Sequence, residues 1–345
     1  KQTNKQTKTR KMLLITSVDQ YMGYAITSHL AQFKELRPQL RALCQSKSRC
    51  HGFSNAGIDV REVDYSHPNQ LSLALRGVDH IVLAIGNENK RVEHAKHICT
   101  VAAQSGVTSI ICISHVGAVS QLHSSLQDFH QIEQQVMQST CQYTILRLDF
   151  VQQYFHLWSN RVEKHRQILL PLTQDTEICP VDITDVCKVI EELLIDPNNH
   201  TYKPLNDKHD GQVYTLTGPE MLNGQRIVEL LSSSTGYEHF KFCHGRLMDL
   251  GYYMSGLSKD VWFDARLKQE MSQIYHDTYE NNNYRDKVYA NPTDKQIQTY
   301  LDYFDWVQQT SGSICVPHTT MLVNSSCESI QKFFKENANS FKPRV

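Results

Sequence analysis

Residues 12–30, MLLITSVDQYMGYAITSHL, pass from an unbroken apolar run through a short polar turn into a segment whose apolar residues recur at helical spacing. Met12, Leu13, Leu14 and Ile15 leave no polar face, as a parallel strand covered on both sides requires. Met22, Ala25, Ile26, His29 and Leu30 then fall on one side of a helix. Such a strand–turn–helix is the first unit of a dinucleotide-binding sheet, whose turn carries glycines at every third position. One makes the bend, one lets a pyrophosphate approach, and one lets helix and strand pack closely. Those positions hold Ser17, Gln20 and Gly23. The packing glycine is kept and the two that make room for a ligand are replaced.

The pattern recurs downstream. Apolar runs at 40–44, 58–63, 80–85, 109–113 and 142–148 alternate with helical spacing at 68–78, 92–102 and 128–137. This alternation predicts an α/β fold: a doubly wound parallel sheet with helices on both faces and its first five strands in the order 3-2-1-4-5. Beyond residue 154 the alternation loosens into strand, helix and strand at 168–172, 181–194 and 213–217, with a helix around 227–231. An aromatic-rich, mostly helical stretch follows at 246–309. The expected organisation is a disordered basic tail at 1–10 and a dinucleotide-binding-type domain at 11–155. A smaller, mostly helical C-terminal domain at 156–345 returns to the sheet through 181–218.

Charge and cysteine usage narrow the function classes. Lys and Arg number 35 against 36 Asp and Glu, and Lys1, Lys5, Lys8, Arg10 and Lys11 are confined to the tail, so the body does not read as a nucleic-acid binder. The 10 cysteines form no CxxC pair, and Cys112 and Cys187 lie within apolar runs, which suggests reduced thiols in a cytoplasmic or nuclear protein. No apolar stretch reaches the ~20 residues of a membrane span. His94, His97 and Cys99 lie close in sequence, but Cys99 leaves the shared helical face, so no metal site is expected.

Several positions would face a dinucleotide. In the first turn these are Ser17, Asp19, Gln20, Tyr21, Met22 and Gly23, with Asp19 placed to cap the helix itself and to repel phosphate. Gln45, Lys47 and Arg49 follow the second strand where the adenosine ribose would lie. Two cations there, and no carboxylate directly after Cys44, favour NADP(H) over NAD(H). Asp64 and Tyr65 end the third strand, and Ala84, Ile85 and Gly86 end the fourth. Ser114 and His115 end the fifth, where His115 is placed to donate a proton, and His130 lies on the following helix. Tyr237 and Lys241 form a Tyr-x-x-x-Lys spacing, but they follow a helix and Gly236 and enter a strand. No Gly-x-Ser-x-Gly elbow surrounds any serine.

Ile15-Thr16 with Gly23, the strand at 57–64, Gly77-Val78-Asp79, Tyr143-Thr144-Ile145-Leu146-Arg147, Pro180-Val181-Asp182-Ile183-Thr184-Asp185-Val186 and Tyr214-Thr215-Leu216-Thr217-Gly218-Pro219-Glu220 together resemble the NmrA-like family. These are atypical short-chain dehydrogenase/reductases. The resemblance implies a Rossmann domain that binds NAD(P) and a smaller domain closing a cleft over the nicotinamide. It implies two kinds of member: NADPH-dependent reductases of quinones and related molecules, and regulators that sense dinucleotides and bind a transcription factor. It also implies a lysine on the helix before the YTILR strand, where this chain has Phe129. With the glycine loop eroded and that lysine missing, the expectation is a regulatory, dinucleotide-sensing or partner-binding protein. Its partners would be a dinucleotide or small molecule in the cleft and a transcription regulator. The alternative is an active NADPH-dependent quinone or carbonyl reductase that uses His115 or water as proton source.

Overall fold

The structure, a computed structural model, describes residues 12–257, 291–310 and 313–344, without the Arg49 side chain. The basic tail expected to be disordered, and Trp262 and Phe263 of the aromatic-rich stretch, therefore lie outside the described residues. Seven strands form one parallel sheet in the order β3-β2-β1-β4-β5-β6-β9. They are β1 Leu13–Ile15, β2 Leu40–Cys44, β3 Asp59–Glu62, β4 His80–Leu83, β5 Ser109–His115, β6 Gln142–Leu148 and β9 Gln212–Leu216. The first five stand in the predicted order with β1 central, and the strand expected near 213 pairs with β6 as the seventh.

The strands are parallel because a helix follows most of them, and both sheet faces need cover. Leu13 and Ile15 point to one face with α1 (Tyr21–Leu30) and α7 (Ile183–Leu194); Leu14 points to the other with α3 (Pro68–Leu75) and α4 (Arg91–Ser105). His29 Nε2 lies 2.7 Å from Glu191 Oε2 and ties α1 to α7. Helix α5 spans Ser124–Met137, starting earlier than its apolar spacing suggested.

Two further two-stranded sheets lie outside this layer. Here β7 (Gln167–Leu170) runs parallel to β11 (Lys241–His244), and β8 (Glu177–Ile178) antiparallel to β10 (Leu222–Asn223), with α8 (Gly224–Thr235) across them. Lys241 opens β11, so the Tyr-x-x-x-Lys spacing does not sit on a helix. The Asp294–Gln309 helix lies against α5. All 10 cysteines are free thiols. No helix among the described residues is long and apolar enough to cross a membrane, and no three His, Cys, Asp or Glu side chains among them could hold a metal.

Gly23 fixes how α1 leaves β1. A Cβ on it would lie 2.4 Å from the Thr16 carbonyl oxygen and 2.5 Å from that of Ser17, both rigid backbone atoms. Gly23→Ala should therefore destabilise the fold by about 3 kcal/mol, the upper range for overpacking, because no flexible side chain can yield. Urea unfolding with an unchanged m-value checks this; a loss below about 1 kcal/mol would show that the turn adapts.

Candidate active site

A cleft opens at the carboxyl ends of β1, β4, β5 and β6, beside the point where the strand order turns back, the usual ligand position in an open α/β sheet. About 700 Å³ of its space is unfilled by atoms, open solvent included, and about 80 Å³ admits the centre of a water molecule. Its walls are apolar and aromatic: Ile113, Leu148, Phe129, Phe150, Tyr154 and Tyr300, the last two with ring centres 5.4 Å apart. The Asp294–Gln309 helix closes one side and is held by polar contacts. Ser125 N donates to Asp302 Oδ2 at 3.0 Å, His123 Nε2 meets Asp305 Oδ2 at 2.9 Å, and Lys295 Nζ meets Asp128 Oδ2 at 2.5 Å. Arg91, fully buried, donates to Gly86 O at 2.6 Å, Asp128 Oδ2 at 3.0 Å and Thr299 Oγ1 at 3.3 Å, and also to Ser125 O.

His115 and Asp149 face the same space. His115 Nδ1 accepts from Gly117 N at 2.9 Å, which leaves the ring proton on Nε2 as a donor. Burial, and secondarily the Arg91 charge, push its pKa down to about 3, so the ring is neutral at physiological pH. Asp149, just past β6, accepts from Phe150 N at 2.6 Å and from the Tyr303 and Ser313 hydroxyls. Burial outweighs those hydrogen bonds and raises its pKa to about 6.

The β1–α1 turn keeps a glycine's shape without the glycine. Ser17 has φ 50, its N–H donates to Tyr65 Oη at 2.8 Å, and its hydroxyl donates to Glu88 Oε1. Thr16 Oγ1 accepts from Ala84 N at 2.8 Å, so β1 and β4 end in register. Gln20 is the N-cap of helix α1, and its side chain makes no capping bond.

Residues 22–156 match the family model described as NAD(P)H-binding. A solved NADPH-dependent quinone oxidoreductase of Escherichia coli, complexed with NADPH, superposes with TM-score 0.69 at 15% identity over 94% of this chain and 99% of that one. NmrA, a negative transcriptional regulator solved in complex with NADP, superposes with TM-score 0.56 at 10% identity over 69% of this chain and 75% of its own. The chain therefore has a Rossmann-type fold. Among curated proteins, the NAD(P)H azoreductase of Xenophilus azovorans is 22% identical over 204 residues, 59% of this chain and 68% of that protein.

On this fold the site residues read from sequence separate into three groups. Gln20, Met22, Ala84, Ile85, Gly86, Ser114 and His115 line the cleft. Ser114 is already engaged, because its hydroxyl donates at 2.6 Å to Glu133, which also holds Arg147 through two bonds of 2.8 and 2.7 Å. Tyr21 is buried, with its ring 5.9 Å from that of Tyr154, and Gly23 serves packing.

A second group lies toward the adenosine end of such a site. Asp19 does not cap α1; its Oδ2 instead accepts from Gln45 N at 3.1 Å and Ser46 N at 3.0 Å, because the β2 loop offers two amides that the helix end does not outbid. Lys47 and Asp64 are exposed. A carboxylate is nevertheless close to Lys47, from β3 rather than from the residue after Cys44: Lys47 N donates to Glu62 Oε2 at 3.2 Å. The Arg49 side chain lies outside the described residues.

The third group is not placed as expected. Tyr65 is wholly buried, and its phenol donates to Leu43 O at 3.2 Å beneath the Ser17 turn, so it offers no surface to a ligand. His130 is exposed and lines no part of the cleft, because the α5 spacing turns it outward when Phe129 turns inward. Phe129, where the resemblance implies a lysine, lines the cleft, and a cation is present behind it: the Arg91 guanidinium carbon is 4.5 Å from the ring centre. Sequence reasoning missed Asp149, Tyr154, Glu88 and Arg91. The acid at the carboxyl end of the sixth apolar run was the one available signal for Asp149.

Folding raises the Asp149 pKa above its ordinary 3.8, so its contribution favours the folded state below about pH 4 and is lost as pH rises through about 6. Asp149→Asn removes that titration. Its stability relative to the unsubstituted protein should rise between pH 4 and pH 7 in thermal melts, whereas a constant offset would show that Asp149 does not titrate there.

Proposed function

We propose that this chain is an NAD(P)H-dependent reductase of small planar acceptors, quinones and azo compounds being the chemistry named for its relatives. The observation that carries the reading is the aromatic cleft at the β1/β4 switch point with a neutral histidine on its wall. The first turn of α1 fits a pyrophosphate, since its N-cap side chain leaves the helix end uncovered and Gly23 keeps it close to the strand. Met22, Gly86 and Ser114 would hold the nicotinamide half, and Lys47 would meet a 2′-phosphate, which makes NADP(H) the proposed cofactor. The bound cofactor supplies a hydride.

The chain's own residues supply orientation and protons. His115 presents Nε2–H as a hydrogen-bond donor for an acceptor oxygen or nitrogen. Tyr154, whose pKa burial raises, stays protonated and adds a second donor, a hydroxyl, at the cleft. Asp149 exchanges a proton near neutral pH at the base of the same wall. No ammonium is needed in this arrangement, because the donors are neutral and Phe129 keeps that side dry.

Calorimetric titration with NADPH and NADH, followed by NADPH oxidation with a simple quinone and an azo dye, tests the reading. NADPH should bind more tightly than NADH, and Lys47→Ala should remove the difference. His115→Ala should lower kcat/KM by about 10²-fold while NADPH affinity stays within about two-fold. Binding without turnover of either acceptor would replace the reductase by the second reading, a dinucleotide sensor acting through a protein partner. One observation favours that second reading: Asp19 and Glu88 bring two carboxylates to the loop that would meet phosphate.

A further inference from the structure

We propose that the Glu88 carboxylate occupies the place of a dinucleotide phosphate and that its charge controls whether the dinucleotide is admitted. This rests on the reading of the cleft as a dinucleotide site and assigns that site its regulation. The sheet order turns back between β1 and β4, and a ligand crossing the sheet there passes between the loop after β1 and the loop after β4. Glu88 comes from the second loop and spans to the first. Its Oε1 accepts from the Ser17 hydroxyl, and its Oε2 accepts from Gly86 N at 3.1 Å. Ser17 and Gly86 lie in the loops that directly follow the two strands flanking the switch point, where a backbone would approach a pyrophosphate. A carboxylate presents two acceptor oxygens and a negative charge, which are the features that a phosphate would bring to the same donors.

Among the described residues, Ser17 and Gly86, which donate hydrogen bonds to the Glu88 carboxylate, carry no positive charge. From the β1 turn come Ser17 and Asp19, the latter a like charge; from beyond β3 comes the Tyr65 phenol, itself held by Ser17 N and Leu43 O. Arg91 on α4 is a nearby cation, but four of its five N–H donors go to Gly86 O, Asp128, Ser125 O and Thr299 rather than to Glu88. Burial first, and the Asp19 charge after it, hold the Glu88 proton more tightly than in an ordinary glutamate. Dinucleotide entry therefore requires the side chain to swing out or to take up a proton. Two anions sharing the same donors repel each other strongly in a site this dry.

The expected signature is proton-linked binding. NAD⁺, whose phosphates do not titrate near neutrality and which lacks a 2′-phosphate, is the probe. Its affinity for the full chain, measured by calorimetry from pH 8 to pH 5.5 in two buffers of different ionisation enthalpy, should rise as pH falls, by up to ~10-fold per pH unit with one proton taken up. Glu88→Gln keeps the shape and an acceptor for Gly86 N but not the charge. It should bind NAD⁺ at least ~10-fold more tightly at pH 8, with a flat pH profile. Ser17→Gly removes the hydroxyl that grips Glu88 and should also tighten binding at pH 8, which guards against a folding defect particular to Glu88→Gln. If the unsubstituted protein binds NAD⁺ and both variants share its affinity and pH profile, Glu88 controls nothing and the proposal fails while the dinucleotide site stands. If none of the three binds NAD⁺, NADH or NADPH at any pH, the dinucleotide site itself is overturned, and the proposal with it.

Discussion

The close approach of α1 to β1 is the contact on which the rest of the molecule depends. Because Gly23 has no side chain, the helix lies against the Thr16 and Ser17 carbonyls, and its apolar side reaches the sheet directly over the central strand. That contact sets the height of the β1 turn relative to the β4 end, which Thr16 then fixes through its bond to Ala84 N. A side chain at position 23 would lift the helix, open the turn and misalign the strand ends that build the cleft. The glycine that serves packing is thus also the one that positions the site, although it touches nothing in the cleft.

The cleft's outer wall is organised differently. The Asp294–Gln309 helix meets the start of α5 through charged and polar groups, while its Tyr300, Tyr303 and Phe304 rings pack against Phe150. Arg91 is the centre of that seam, with its planar fork matched to carbonyls and a carboxylate and its face on Phe129. A buried guanidinium is costly to desolvate and is tolerated because its donors are met. Its electrostatic effect reaches further, since it adds to burial in keeping His115 unprotonated.

What the sequence disclosed follows from the range of the interactions involved. The apolar runs of β1, β2, β4 and β5 and the packing role of Gly23 depend on neighbours a few residues away, and these were readable. Asp19 shows how a local rule fails: an acid before a helix suggests a cap, yet the amides of Gln45 and Ser46, brought alongside by the sheet, take it instead. Glu88 acts on a hydroxyl 71 residues earlier, and Asp149 on hydroxyls 154 and 164 residues later, so no window of sequence contains either pair. His130 was misplaced by a single position, because one step along a helix is about 100° of rotation and Phe129 took the inward side.

Ser17 at φ 50 holds a conformation that an L-residue with a side chain adopts at a cost of about 1–2 kcal/mol. The Tyr65 and Glu88 bonds offset that cost only while both are made. The turn is therefore a loaded spring with its catch on the β4 side. When Glu88 leaves, the backbone at Ser17 gains reason to relax, and a change of charge at one carboxylate becomes a change of shape at the start of α1. Through the His29 to Glu191 pair, that movement has a mechanical path to α7, which packs against α1.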